Sequence, residues 1–135
     1  ILVFFDPHDG PVAPAAARAA QSSLAMQKSM HELKSELESS GLPPLEIGIG
    51  VHTGPVVVGN IGSSLRAKYG IVGLAVNVVQ RIQEKAEGGQ IVVSQELYDI
   101  LGDKLTVEKS FTAQLKGVQE ESILYMLRDF QAPCS

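Results

Sequence analysis

The segment Tyr69–Arg81, YGIVGLAVNVVQR, changes from a strand-like to a helix-like pattern at a single glycine. The residues before Gly73 belong to an apolar, β-prone run, which predicts a strand over 66–72. The residues after it repeat apolar side chains at helical spacing, which predicts a helix over 74–87 that ends at Gly88-Gly89. The segment therefore joins a strand to a helix through one tight turn.

Strand-like and helix-like segments interleave along the rest of the chain. We predict a buried strand over 1–5, a long helix over 13–40 stopped by Gly41, strands over 45–52 and 90–93, a short helix capped by Ser94, and two late strands over 106–115 and 122–127. Val56–Val58 is predicted to continue the strand that ends near His52. Glycines at 48, 50, 54, 59 and 62 indicate bends or close backbone approach.

This order predicts an α+β fold in which helices pack on one face of a sheet. The long helix has a predicted apolar face that runs along its whole length. That face comprises Ala16, Ala19, Ala20, Ser23, Met26, Met30, Leu33 and Leu37. We assign residues 1–128 to one domain and residues 129–135 to a flexible tail.

Composition restricts the class of protein. The chain has 135 residues and a net charge of −4, which suits one domain and argues against a general nucleic-acid binder. Cys134 is the only cysteine, so no internal disulfide is possible, and no Cys/His spacing is typical of zinc sites. No apolar run approaches the ~18 residues of a transmembrane helix, and we expect a cytoplasmic domain, even if a parent protein is tethered to a membrane.

The chain opens inside the apolar run Ile1–Phe5, without an initiator methionine. A strand rarely begins a domain without a preceding turn or polar residue. We therefore expect a fragment of a longer protein, cut within or next to a strand.

Asn77 and Arg81 are two of the polar residues that interrupt the apolar pattern of this helix. They are an i, i+4 pair and share one face, whereas Val76, Val79 and Ile82 supply another. The arginine fork suits phosphate oxygens, and an asparagine amide can orient a hydroxyl or ring oxygen. The alternative is that both are surface residues, or that Arg81 pairs with Glu84 or Glu87.

Other polar positions carry weaker signals. Lys116 is either a solvated charge at a hairpin or a point charge for a phosphate. The glycines of Gly59–Ser64 do not form a phosphate-binding motif. Turn chemistry accounts for Asp6 and Asp9 without a metal ion, and the three histidines show no ligand spacing.

Five segments, in order, resemble the catalytic domain of class III adenylate and guanylate cyclases. They are ILVFFDP, LEIGIGVHTGPVVVGNIGS, KYGIVGLAVNVVQR, GGQIVVSQELYDIL and LKGVQEESILYML. The resemblance implies a ferredoxin-like sheet that lacks the family's first strand and part of its first hairpin. It also implies a head-to-tail homodimer with the nucleotide at the subunit interface.

The resemblance assigns roles to individual residues. Asn77 matches the family's asparagine that orients the ribose, and Arg81 matches its arginine that stabilises charge on the phosphate under attack. Lys116 matches the lysine that holds the terminal phosphates. Gly70 falls on a base-selecting position that is Asp or Thr in many adenylate cyclases, so the backbone at Ile71 is expected to contribute more to base choice.

The implied reaction makes a cyclic nucleotide from ATP, or less favourably GTP, with two divalent cations, Mg or Mn. The family's metal-binding aspartates would lie upstream of Ile1, so we assign no metal ligand to this chain and expect residues 1–135 to be inactive alone. An upstream sensor or regulatory domain is expected. The alternative is a non-catalytic cyclase homology domain for dimerisation or regulation, which Gly70 and Leu74 favour and the intact Asn77, Arg81 and Lys116 oppose.

Overall fold

The computed structural model describes residues 2–5, 10–61, 68–115 and 121–130, with the backbone alone for 58–61 and 68–72. Three α-helices are interspersed among six strands in these residues. In chain order they are α1 (Val12–Ser39), β1 (Ile49–Val51), β2 (Val57–Ile61), β3 (Lys68–Val72), α2 (Leu74–Glu84), β4 (Ile91–Ser94), α3 (Gln95–Leu101), a 3-10 turn (Gly102–Lys104), β5 (Leu105–Ala113) and β6 (Ser122–Phe130). The prediction of an α+β fold is confirmed.

Four of the strands form the main sheet, in the order β1-β4-β6-β5. β1 pairs parallel with β4, with Ile49 opposite Ile91, and the other two pairings are antiparallel. β2 and β3 pair only with each other, as a separate antiparallel hairpin among the described strands. Val57 and Val58 therefore do not continue the preceding strand, as the sequence suggested, but begin this hairpin.

The helices cover both faces of the main sheet. Ile91 and Val93 of β4 enter an apolar cluster with α1 and α3, whereas Val92 enters a second cluster with Ile82 of α2. Because successive side chains of a strand point to opposite faces, α2 lies across the sheet from α1 and α3. The prediction that the helices pack on one face is therefore wrong for α2.

Side chains fill the face that α1 and α3 cover. Ala20 of α1 and Leu97 of α3 are almost completely buried there. Tyr98 of α3 stacks on Tyr125 of β6, with ring centroids 4.1 Å apart and an interplanar angle of 9°. Small residues on α1 let this helix approach the sheet closely, so the face forms a continuous apolar layer.

The predicted stop of the long helix is confirmed in detail. The Leu42 N–H donates to the Leu37 carbonyl at 2.8 Å, and the Gly41 N–H donates to the Glu38 carbonyl at 3.1 Å. Gly41 has a φ of 76°, the left-handed conformation that this Schellman arrangement requires. Glycine adopts it without steric cost, which explains why α1 ends there.

The predicted apolar face of α1 is correct only for the first half of the helix. Its buried residues end at Ser23, while Met26 and Leu33 are 42% and 37% exposed. A 28-residue helix is about 42 Å long, so α1 extends beyond the short strands that it covers. Periodicity identified the face but could not give its covered length.

Two predictions about the ends of the chain need correction. Leu2–Phe5 joins neither sheet, and Leu2 and Val3 are at least half exposed, so the predicted buried strand is wrong. An apolar, β-prone run becomes a strand only beside a partner, and none of the described strands pairs with it. At the other end, β6 includes Asp129 and the buried Phe130, so the sheet extends two residues past the predicted boundary at 128.

Candidate functional site

The turn that begins α2 depends on Gly73. This residue has a φ of 151° and is the N-cap of α2. A β-carbon there would lie 3.1 Å from the Pro55 carbonyl oxygen and 3.3 Å from the Val56 Cα. The close approach and the positive φ both favour glycine, and the turn sets the direction in which α2 leaves β3.

Two glycines before and within β1 then determine how near α2 lies to the sheet. A β-carbon on Gly50 would lie 2.6 Å from the Gln83 nitrogen, and one on Gly48 would lie 2.5 Å from the Ala86 carbonyl oxygen. The Gln83 side-chain amide also donates to the Gly48 carbonyl at 3.3 Å. The predicted close backbone approach at these glycines is confirmed. As a consequence, α2 packs directly on the backbone of this strand, with no side chain between them.

Asn77 and Arg81 lie on this helix, as predicted. Asn77 is exposed, and the Arg81 side chain is 34% exposed. The Arg81 Nη1 donates to both oxygens of Glu84, at 3.1 and 3.3 Å. The structure thus selects Glu84, and not Glu87, among the two carboxylates that the sequence offered to Arg81.

The remaining predicted site residues are placed only in part. Gly70 and Ile71 lie on β3, opposite Gly59 and Val58 of the hairpin. Lys116 lies outside the described residues. The structure therefore brings Asn77 and Arg81 onto one helix and puts Gly70 and Ile71 on the strand that leads into it.

His52 is a residue near the site that sequence reasoning left unassigned. Its side chain is only 9% exposed, and its buried Nδ1 has no hydrogen-bond partner within the described ranges. Burial lowers its pKa, against the opposing effect of the Glu96 carboxylate, 3.8 Å from Nδ1. The position after β1 was the available signal, because a histidine that directly follows a buried strand lies close to the packed helices.

Apolar side chains are exposed where the hairpin meets α2. Val57 is 68% exposed, Leu74 is 71% exposed and Val56 is 37% exposed. Leu74 lies about one helical turn before Asn77, and Val57 pairs with Val72, two residues before Leu74. Exposed apolar groups of this kind, grouped together, are typical of surfaces that bind another molecule.

The candidate site lies on an open surface of the chain. A hollow of about 170 Å³ lies beside Lys85, Lys109 and Phe111, and another of about 110 Å³ lies between α1 and Glu46. Neither hollow is lined by Asn77 or Arg81. Neither of these two hollows therefore encloses a nucleotide held by these side chains among the described residues.

The resemblance implies metal ligands upstream of Ile1 and assigns none to this chain. The described residues contain no group of three or more His, Cys, Asp or Glu side chains that could hold a metal ion. In addition, none of the helices in the described ranges qualifies as a membrane-spanning segment.

Sequence comparison relates this chain to nucleotide cyclases. The sequence profile of the adenylate and guanylate cyclase catalytic domain matches residues 10–129. An adenylate cyclase of Anabaena cylindrica is 30% identical over 95% of this chain and 26% of its own length. Adenylate cyclase 1 of Rhizobium meliloti is 31% identical over 76% of this chain and 16% of its own length.

Solved structures show the same relationship. The guanylyl cyclase Cya2 is 38% identical, with a TM-score of 0.85 over 96% of this chain and 65% of that one. The adenylyl cyclase CyaB from P. aeruginosa is 30% identical, with a TM-score of 0.86 over 98% of this chain and 68% of that one. The fold is thus that of a nucleotide cyclase domain.

The chain belongs to the adenylate and guanylate cyclase catalytic domain family. It spans about a quarter or less of the two curated relatives and about two thirds of the two solved chains.

Proposed function

We propose that this chain is the larger part of a catalytic domain that converts ATP, in preference to GTP, into the 3′,5′-cyclic nucleotide and pyrophosphate for intracellular signalling. One observation carries the proposal: Asn77 and Arg81 both lie on α2, and this helix packs directly on the backbone of the sheet at Gly50. A rigid support of this kind fixes polar groups in place, which phosphoryl transfer needs more than it needs a covalent nucleophile.

The proposed chemistry assigns each side chain a different task. The ribose 3′-hydroxyl loses its proton to water and its oxygen attacks the α-phosphorus. The bond from that phosphorus to the bridging oxygen of the β-phosphate breaks, and pyrophosphate leaves. The Asn77 amide orients the ribose. Arg81 donates hydrogen bonds to oxygens of the α-phosphate, where negative charge increases in the transition state. Lys116 holds the terminal phosphates as a point charge.

Two divalent cations, Mg or Mn, belong to the complete domain in this proposal, and residues upstream of Ile1 supply their ligands. Residues 1–135 alone are therefore inactive. This is checked by incubating the purified chain with ATP and Mn²⁺ and measuring cyclic AMP. Product formation by residues 1–135 would contradict this part of the proposal.

A head-to-tail homodimer completes the site. One observation supports it: Val57 and Leu74 expose apolar surface, and Leu74 lies three residues before Asn77 on α2. A second copy that covers this surface would bury apolar area and supply further walls of the site. Sedimentation of the full-length protein should show a dimer, and a monomer at high concentration would count against this arrangement.

The proposed regulation and location follow from the same family relationship. An upstream sensor domain controls the cyclase, and the domain lies in the cytoplasm whether or not the parent protein is tethered to a membrane. Limited proteolysis of the full-length protein tests the domain arrangement. It should release a stable cyclase domain separate from a second folded unit.

Base choice is assigned to the backbone near Ile71, since Gly70 has no side chain to contact a base edge. Relatives named adenylate cyclases at 30–34% identity support ATP, while the guanylyl cyclase Cya2 at 38% identity keeps GTP as the second candidate. The measurement is kcat/KM for ATP and for GTP in the full-length protein. A higher value for GTP would reverse this assignment.

The central experiment removes the two α2 side chains one at a time from the full-length protein. Asn77→Ala and Arg81→Ala should each lower kcat by about 100- to 1000-fold, the usual cost of losing one donor to a transition-state charge. Lys28→Ala, an exposed lysine on α1, is the control and should keep its activity. Equal activity in all three variants would contradict the assigned roles.

The alternative is a non-catalytic cyclase homology domain that dimerises or regulates. The exposed Leu74 and the absence of a side chain at Gly70 favour it. A full-length protein that folds and dimerises but turns over neither ATP nor GTP with Mn²⁺ would support this alternative.

A further inference from the structure

The Arg81–Glu84 contact directs the guanidinium toward the C-terminal end of α2. Asn77 lies one turn before Arg81, about 6 Å along the helix axis, and Glu84 lies about 4.5 Å along it in the opposite direction. The Arg81 Nη1 donates to both Glu84 oxygens. This contact draws the guanidinium toward the C-terminus of α2, away from Asn77.

We propose that Glu84 is a positioning residue that holds the Arg81 side chain in an inactive orientation when no nucleotide is bound. The nucleotide phosphates then replace Glu84 as the partner of the guanidinium. This inference rests on the proposed cyclase function, because that function requires Asn77 and Arg81 to act on the same substrate. Glu84 then competes with the α-phosphate for one guanidinium.

The geometry suits a contact that can be exchanged. A single nitrogen carries both hydrogen bonds, so this is not the two-nitrogen fork that makes Arg–carboxylate pairs strong. The side chains of Arg81 and Glu84 are 34% and 48% exposed, so solvent screens their attraction. A phosphate can offer the guanidinium the paired hydrogen bonds that Glu84 does not use.

The size of the effect follows from the weakness of such a contact. An exposed ion pair of this kind should weaken nucleotide binding by about two- to fivefold. Bound nucleotide removes the competition, so the chemical step itself should be unaffected. The expected signature is a change in KM and in nucleotide affinity, with kcat unchanged.

The test compares Glu84→Gln with Glu87→Gln in the full-length protein. Both variants remove one negative charge near the C-terminus of α2, but Glu87 does not contact Arg81. Affinity is measured by calorimetry with 3′-deoxy-ATP and Mn²⁺, because this nucleotide lacks the attacking oxygen. KM and kcat are measured with ATP, and thermal unfolding confirms that both variants are folded.

Glu84→Gln should bind 3′-deoxy-ATP about two- to fivefold more tightly than the wild type and lower KM by a similar factor. Glu87→Gln should stay close to the wild type. Equal behaviour of the two variants, or weaker binding by Glu84→Gln, would refute the proposed role of Glu84 while leaving the cyclase function intact. A wild type that neither binds nor converts nucleotide would instead refute the proposed function, and the inference with it.

Discussion

The two faces of the main sheet are packed in different ways. On one face, α1 and α3 bury large side chains such as Leu97 and Leu101 between themselves and the strands. On the other face, α2 buries Ile82 alone and lies against the backbone of Gly48 and Gly50. The first face is filled by side-chain volume, whereas the second combines a smaller apolar cluster around Ile82 with bare backbone where α2 meets Gly48 and Gly50.

Because of this difference, substitutions on the two faces should have different effects: on one face they change stability, and on the other they change the position of the site. Lost volume on the α1 and α3 face should lower the free energy of unfolding without moving Asn77 or Arg81. Added volume under α2 should displace the helix that carries them. The α2 face is therefore the part of the core in which a small substitution can change function directly.

The largest expected loss of stability comes from the filled face. Leu97→Ala should lower the free energy of unfolding by about 2–5 kcal/mol, because Leu97 is 1% exposed and its removal leaves a cavity. Leu33→Ala, on the exposed half of α1, is the control and should change it by less than about 0.5 kcal/mol. Urea unfolding of both variants measures this, and equal losses would mean that burial does not distinguish the two helices.

A single added methyl group tests the α2 face. Gly50→Ala places a β-carbon 2.6 Å from the Gln83 nitrogen, which is backbone and cannot rotate away. We expect a loss of about 1–3 kcal/mol by overpacking and, in the full-length protein, a loss of turnover larger than the loss of stability explains.

Gly41→Ala is the control for Gly50→Ala. Its φ of 76° makes alanine unfavourable, but the space around it is open and it lies far along the chain from α2. It should lose stability and keep turnover per folded molecule. If Gly50→Ala also keeps full turnover, the backbone contact does not position the site.

A smaller effect is expected at the start of α3. The buried Ser94 Oγ accepts a hydrogen bond from the Leu97 N–H at 3.2 Å. Ser94→Ala should cost about 1 kcal/mol, the usual value for an N-cap. Ser110→Ala, at an exposed position of β5, serves as the matched control in thermal unfolding and should leave the midpoint unchanged.

The smallest effect depends on pH and involves His52. Burial lowers its pKa below the ordinary value of 6.5, so the unfolded chain takes up a proton at a higher pH than the folded chain. This histidine should therefore contribute its full stability above pH 6.5 and lose it as the pH falls through the folded-state pKa.

The measurement for His52 is the change in free energy of unfolding between about pH 7.5 and about pH 5.5. The wild type should lose more stability over this interval than His52→Gln, whose side chain does not titrate. An equal loss in both proteins would show that other groups cause the loss of stability at low pH.

Much of the helical structure could be predicted from local chemistry. The stop at Gly41, the start of α2 after Gly73 and the cap at Ser94 each depend on one residue and its neighbours. The composition of β4 carries a further signal. Ile91, Val92 and Val93 are all apolar and all buried, which is typical of a strand covered on both faces and indicates helices on both sides.

Other features depend on partners that a sequence pattern does not contain. Leu2–Phe5 has the composition of a strand but pairs with none of the described strands. For the site, spacing predicted that Asn77 and Arg81 share a helix, which is confirmed. Spacing could not decide between Glu84 and Glu87 as the neighbour of Arg81, because that choice depends on side-chain rotamers. The roles of these side chains in catalysis stay predictions.

The order of the strands has a consequence for how the chain folds. β5 and β6 are close in sequence and pair over most of their length, so they can associate early. β1 must instead find β4 across the intervening hairpin and α2, and such long-range parallel pairing is slow. Since α2 rests on the backbone of β1, the surface that carries Asn77 and Arg81 should be assembled last. Pulsed hydrogen exchange during refolding would then show protected amides in β5 and β6 before those in α2.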